Sequence, residues 1–191
     1  MEKPEEKIRE TAERIAEIPQ LAPENVPEID LYMDQLLSFL DTRLGETGMD
    51  GRPFLTKTMV NNYVKAKLLP PVVKKKYRRR QVLSLALIGE LKHLLSMQEL
   101  QKFYAAAEQD DDWERLYRSF LDSQKEAFAA LPELAEQLEA QSRPEENREY
   151  QLAEAAVRLA AQAQARMMLA VYLLKEIPGL REKQKLTGET K

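Results

Sequence analysis

The sequence predicts a mainly α-helical protein, with one short extended basic segment inside its N-terminal half and an all-α C-terminal region. Three observations carry this. Apolar residues recur every three to four positions through most of the 191-residue chain. Prolines and glycines cluster between those periodic runs and separate them into four regions. Strand signals are almost absent outside Val72–Tyr77, and no internal repeat is present.

The first region, Glu5 to Ile18, places Ile8, Ala12 and Ile15 on a sparse helical stripe that stops at Pro19. Pro19, Pro23 and Pro27 then make a linker that cannot continue a helix. The second region, "IDLYMDQLLSFLDTRL", starts with Asp30 as a plausible N-cap and carries Met33, Leu36, Leu37, Leu40 and Leu44 at helical spacing. Glycines in "GETGMDGRP" end it in a flexible loop.

In the third region, Thr56 or Thr58 caps a short helix through Lys67, whose buried stripe is Val60, Tyr63, Val64 and Leu68. Its other face shows Lys57, Thr58, Asn61, Asn62 and Lys65. Pro70 and Pro71 stop it and force an extended connection in which Val72, Val73 and Tyr77 bracket Lys74, Lys75 and Lys76. A helix from about Arg78 follows, with Val82, Leu85, Ile88, Leu91 and Leu95 as its buried side. Ser96 lies three residues before Glu99, the capping-box spacing, and Leu95 can staple onto Leu100, so another helix runs from there to about Ala107.

The fourth region opens with Asp110–Asp112 crowding a helix start, where negative charge complements the dipole, and Trp113, Leu116, Tyr117, Phe120 and Leu121 give it an apolar face. A helical run from Pro132 to Gln141 follows. The last helix, Arg148 to Ile177, is rich in alanine, which permits close helix approach, and Pro178 and Gly179 end it before a disordered tail. The expected domains are therefore 1–27 (helix and linker), 28–108, 109–179 (C-terminal helices) and 180–191 (tail).

Composition bounds the function. At 43% hydrophobic and 32% charged residues, the chain is neither disordered nor collagen-like, and its length holds one or two compact units rather than a large enzyme. Without cysteine, disulfides, zinc-cysteine sites and thiol nucleophiles are excluded. The N-terminus is charged throughout, and no apolar run approaches the roughly 18 residues that span a bilayer, so a cytoplasmic protein with no membrane partner is expected. His93, the only histidine, has no catalytic context; glycine-rich phosphate loops are missing; and the carboxylates at Asp110–Asp112 and Glu145–Glu146 read as helix-start charge. No enzyme activity, cofactor or metal is expected.

Charge asymmetry is the strongest functional signal. Between Gly51 and Gly89 stand ten basic residues and no acid, +10 in a chain of net −3, so the remainder carries −13. Three adjacent lysines are ordinarily a solvated face, but an acid-free window of this length favours a polyanionic partner through counterion release. Asparagine can bond bidentately to adenine in the major groove, while Thr58, Lys57 and Lys65 suit phosphates or base edges. Lys74, Lys75 and Lys76 beside Tyr77 can clamp backbone phosphate. Arg78, Arg79 and Arg80 put cations at a helix N-terminus, where they are unfavourable by roughly 0.3–1 kcal/mol each and where a polyanion would relieve them.

The order of helix, Leu-Leu-Pro turn, basic segment and long helix resembles the winged helix-turn-helix of the MerR superfamily, whose recognition helix reads T-L-R-Y-Y-E-x-x-G-L-L-x-P. In "MVNNYVKAKLLPP", Val60 matches the leucine, Tyr63 the second tyrosine and Leu68–Leu69 the Leu-Leu, while Tyr77 falls at the tyrosine closing the wing. Asn61 stands where the pattern has its DNA-contacting arginine, Asn62 replaces the first tyrosine, and Lys67 replaces the glycine of the turn. Three blocks, "EIDLYMDQLLSFL", "LTKTMVNNYVKAKLL" and "KKKYRRRQVLSLALIGELKHLLSMQEL", more closely resemble recurrent segments of the bacterial family named domain of unknown function 1836, over about Glu28 to Tyr104. These resemblances imply a MerR-like DNA-binding domain over 28–108, with no established activity.

The expectation is a transcriptional regulator that binds double-stranded DNA as a homodimer, through Lys57, Thr58, Asn61, Asn62, Lys65, Lys74, Lys75, Lys76, Tyr77, Arg78 and Arg79. The C-terminal helices are left for dimerisation, a small-molecule effector or a protein partner. The alternative is a non-enzymatic protein–protein adaptor that uses those helices.

Overall fold

Apolar spacing of three to four residues is realised as helix through most of a computed structural model that describes residues 4–45, 52–107, 110–141 and 147–187. The elements in order are α1 (Pro4–Ala16), a 3-10 turn (Pro23–Asn25), β1 (Leu31–Tyr32), α2 (Met33–Leu44), α3 (Lys57–Lys65), β2 (Lys76–Tyr77), α4 (Arg79–Leu91), α5 (Met97–Ala106), α6 (Asp110–Ala129), α7 (Leu131–Ala140) and α8 (Arg148–Thr187). The expected glycine loop at 46–51 lies outside the described residues, as do Glu145 and Glu146. The chain divides into two compact units. One joins the segment up to Ile18 to Asp122–Leu169, and the other joins Pro19–Leu121 to the residues from Ala170 onward.

In the first unit α1 packs along α7, burying Ala12 and Ala135. Arg9 reaches Glu13 on its own helix at 2.9 Å and Glu136 on α7 at 3.9 Å. α1 is thus held to α7 by charge as well as by small apolar residues.

The second unit is organised around α4. From Gln81 to Gly89 every residue is buried, so this stretch, with no charge between Arg80 and Glu90, is enclosed on all sides rather than on one. Burial is therefore on every side and not on the single face through Leu95 that the sequence predicts: α4 stops at Leu91, and Leu95 packs on the core from the connection to α5. Leu36, Leu40 and Leu44 of α2, Val60 and Tyr63 of α3, and Trp113 and Tyr117 of α6 close over it. The unit reaches beyond the expected limits of 28 and 108, because Leu21 and Val26 of the linker and the first turns of α6 belong to the same core.

Polar groups in this core are few, and the Tyr117 and Tyr104 hydroxyls among them are bonded. Tyr117 donates its hydroxyl to the Leu21 carbonyl at 2.9 Å, and Tyr104 donates to the Ser84 carbonyl at 2.6 Å while stacking on Trp113 at 4.4 Å. Burial pushes both phenols well above the ordinary tyrosine range.

Two boundaries differ from the sequence reading. Asp30 does not cap α2: Leu31 and Tyr32 pair antiparallel with Tyr77 and Lys76, and the helix starts after them, with the Tyr32 N–H bonded to Gln35 Oε1 at 2.9 Å. Pairing with β2 outcompetes one more turn of helix. Pro178 and Gly179 do not end α8, which runs on to Thr187, so the expected disordered tail is helical over most of its length. Pro178 removes one N–H from the ladder and Gly179 has low helix propensity, so the helix continues here against local preference.

The Ser96 cap holds as read. Ser96 Oγ accepts the Glu99 N–H at 3.3 Å, Glu99 Oε2 accepts the Ser96 N–H at 2.7 Å, and Leu100 is buried.

Candidate nucleic-acid interface

Thr56, not Thr58, caps α3, its Oγ accepting the Met59 N–H at 3.3 Å. With that register fixed, Val60 and Tyr63 turn inward and Lys57, Thr58, Asn61, Asn62 and Lys65 are all exposed on one contiguous outer face. Among the described residues, none of these five side chains is engaged with another group of the protein. They are an undisturbed polar and cationic surface.

α3 ends at Lys65, two residues earlier than read, because the chain leaves it through a left-handed residue. Lys67 has φ 56°, the Lys67 N–H bonds the Val64 carbonyl and the Leu68 N–H bonds the Tyr63 carbonyl, each at 3.0 Å. This is a Schellman closure, with Leu68 and Tyr63 meeting in the core. Lys67 takes the conformation that glycine adopts without strain. It leaves an exposed cation at the turn, one that sequence reasoning did not propose as a contact; the signal was its position in the slot of a glycine.

The basic segment is a tight hairpin. Lys76 N–H bonds the Val73 carbonyl at 3.0 Å, and Lys74 and Lys75 between them have φ 52° and 59°. Two successive positive values are what a type I′ turn requires, and asparagine and glycine are the residues that adopt it cheaply. Placing lysines there costs roughly 1–2 kcal/mol per residue. Both are exposed, and neither side chain has a partner among the described residues.

The rest of the cluster is spoken for. Tyr77 is buried at 4% exposure, so it does not present a contact surface: in a two-residue strand the side chains alternate, and Tyr77 faces the core while Lys76 faces out. Burial raises its phenol pKa. Lys76 lies 5.1 Å over the exposed ring of Tyr32. Arg78 reaches Asp30 at 3.8 Å, and Arg79 reaches Glu114 at 3.6 Å. Arg80 turns inward, donating to the Ala107 carbonyl at 3.0 Å and stacking 5.4 Å from the Trp113 ring. The conflict of three arginines at a helix start is thus relieved inside the protein, by acids and an aromatic that are distant in sequence and adjacent in space.

Second-tier contacts hold these parts in place. Gln81, buried in α4, donates to the Pro71 carbonyl at 3.1 Å and accepts the Arg78 N–H at 2.9 Å, so both ends of the hairpin are pinned to one side chain. Gln101 of α5 donates to the Ala66 carbonyl at 3.0 Å, fixing the end of α3. Ahead of α3, Phe54 donates its N–H to Asp41 Oδ1 at 3.0 Å and accepts from Lys92 Nζ through its carbonyl. Among the described residues there is no cluster of histidines and carboxylates that could hold a metal, and no helix is long and apolar enough to cross a membrane.

A helical unit presenting an exposed polar helix and a basic hairpin defines the class. Residues 21–120, more than half of the chain, match the model of the family described as Domain of unknown function (DUF1836), and the chain belongs to that family. The matched span almost coincides with the Pro19–Leu121 segment of the second unit. No curated protein and no solved structure matches the chain.

Proposed function

We propose that this protein is a cytoplasmic transcriptional regulator whose second unit binds double-stranded DNA in the manner of a MerR-like winged helix-turn-helix. α3 enters the major groove with Asn61 and Asn62 toward base edges and Lys57, Thr58 and Lys65 at its flanks. The Val73–Lys76 hairpin is the wing, resting on the phosphate backbone. The observation that carries the reading is the pair of lysines, without partners among the described residues, held at left-handed backbone positions, where charge is kept at a conformational cost.

The deciding experiment is duplex binding titrated against salt. If Lys57, Lys65, Lys74 and Lys75 each neutralise a phosphate, the log–log slope is about −3.6, at −0.9 per phosphate. Absence of binding to mixed duplex at low salt rejects the proposal.

One helix-turn-helix gives limited affinity, so two copies are proposed to act together on a symmetric site. α8 supports this, since Val157, Met168 and Leu169 are between 61% and 68% exposed. The same residues favour the second reading, an adaptor that docks a protein partner on α8. Sedimentation of the pure protein separates the two: a dimer fits the regulator, and a monomer that binds no DNA fits the adaptor.

A further inference from the structure

Arg79 does not stand alone at the start of α4. Its Nη2 lies 3.6 Å from Glu114 Oε2, and the other oxygen of Glu114 accepts from Arg118 Nη2 at 2.8 Å. Arg118 in turn is hydrogen-bonded to Glu24 in the linker, and the Glu24 carboxyl is held below the ordinary range by Arg118, with Arg79 contributing. Four charges of alternating sign, from three separate segments of one unit, thus lead up to the base of the basic hairpin.

We propose that Glu114 is an internal competitor for the DNA backbone: it occupies Arg79 in the free protein and yields it to a phosphate in the complex. The inference rests on the DNA-binding reading. Three features make the exchange cheap and selective. The Arg79–Glu114 contact is long and carries no hydrogen bond, and both side chains are 38–48% exposed, so it is a weak pair. A phosphate accepts two parallel N–H bonds from a guanidinium, a stronger contact than this one. Glu114 keeps Arg118 at 2.8 Å when Arg79 leaves, so no carboxylate is stranded. Until a phosphate arrives at that point, Glu114 offsets part of the attraction that Arg79 exerts on passing polyanions. Glu114 therefore suppresses loose binding and rewards the register in which the hairpin is seated. Asp30 stands in the same relation to Arg78 at 3.8 Å.

Fluorescence anisotropy on a random duplex at about 0.1 M salt tests this. Glu114→Gln tightens binding by about 1.5- to 5-fold, the range of an exposed ion pair. Arg79→Gln weakens it, and adding Glu114→Gln to Arg79→Gln gives no further gain. An absent gain, or an equal gain in the Arg79→Gln background, overturns the exchange, the latter because it marks a general charge effect. Asp30→Asn is the companion variant, since it leaves Arg118 untouched; its gain should vanish in an Arg78→Gln background, and a gain that persists there counts against the mechanism. If the wild-type protein itself binds no duplex, the DNA reading fails and this inference falls with it, a result distinct from binding without coupling.

Discussion

The ring of Phe54 fills the notch that Gly89 leaves on α4: a Cβ at residue 89 would lie 2.3 Å from two ring carbons. Phe54 is 2% exposed. It also stands just ahead of Leu55 and the Thr56 cap, so this contact sets where α3 leaves the core. Gly89→Ala gains up to about 1 kcal/mol of helix propensity but overpacks the ring, at about 1–3 kcal/mol. A net loss is expected in urea unfolding. Phe54→Leu in the same chain should recover part of it, and strictly additive losses would contradict direct contact.

Lys74 and Lys75 yield a prediction with two opposite signs. Replacing them by Asn and Gly relieves two left-handed lysines and should raise stability by about 1 kcal/mol or more. The same change should weaken duplex binding at every sequence and make the salt slope shallower by about 0.9 for each lost phosphate contact. A more stable protein with unaltered affinity would remove the hairpin tip from the interface.

Asn61 is exposed, on the outer face of α3 and without a side-chain partner among the described residues. Asn61→Ala should therefore leave stability within about ±0.5 kcal/mol. If Asn61 reads a base, the variant loses discrimination between preferred and random duplex by about 1–3 kcal/mol while random binding stays nearly unchanged. Equal losses on both would assign it to the backbone instead.

Much of this architecture was legible because it is local. Ser96 and Glu99 announce their helix by spacing alone, and the exposed face Lys57–Lys65 follows from the periodicity that buries Val60 and Tyr63. What was not legible is pairing at a distance. Asp30 looks like a cap until Leu31 and Tyr32 find Tyr77 and Lys76, some 45 positions away in sequence. The arginines at 78 and 79 look uncompensated until Asp30 and Glu114 approach them from other segments. Lys67 was the intermediate case: its glycine-like position marked the turn, but the positive φ of a lysine can be seen only in the backbone. Continuation of α8 beyond Pro178 and Gly179 ran against the local rule that this pair ends a helix.

The reciprocal bonds of Ser96 and Glu99 make α5 a test of capping and of pH together. Ser96→Ala removes the hydroxyl that accepts the Glu99 N–H and should cost about 1 kcal/mol. Glu99 is held below the ordinary carboxylate range, chiefly by the Ser96 N–H. A lowered pKa stabilises the fold above the ordinary value, near 4.3, and that share is lost as pH falls through the lower native value. Stability should therefore decline on the acid side, with a smaller decline in Glu99→Gln. An identical acid limb in both proteins would show that the cap does not carry this dependence.

At the alkaline end the sign reverses, and Tyr104 and Tyr117 contribute. Both phenols are pushed well above their ordinary range, chiefly by burial. Below pH ~10 they are neutral in folded and unfolded chains alike, so their contribution is fully present. Above that the unfolded chain ionises while the core still holds the protons, the folded state binds more protons, and stability falls with rising pH. Tyr117→Phe should shrink this alkaline fall. It also leaves the Leu21 carbonyl without its donor, at a cost of about 1–3 kcal/mol at neutral pH. The variant is thus expected to be less stable at pH ~7 and to lose proportionately less between pH ~9.5 and ~11.5, the window set by the ordinary tyrosine value. Urea midpoints across that range decide it: curves that run parallel would mean the buried phenol at 117 takes no part in alkaline unfolding.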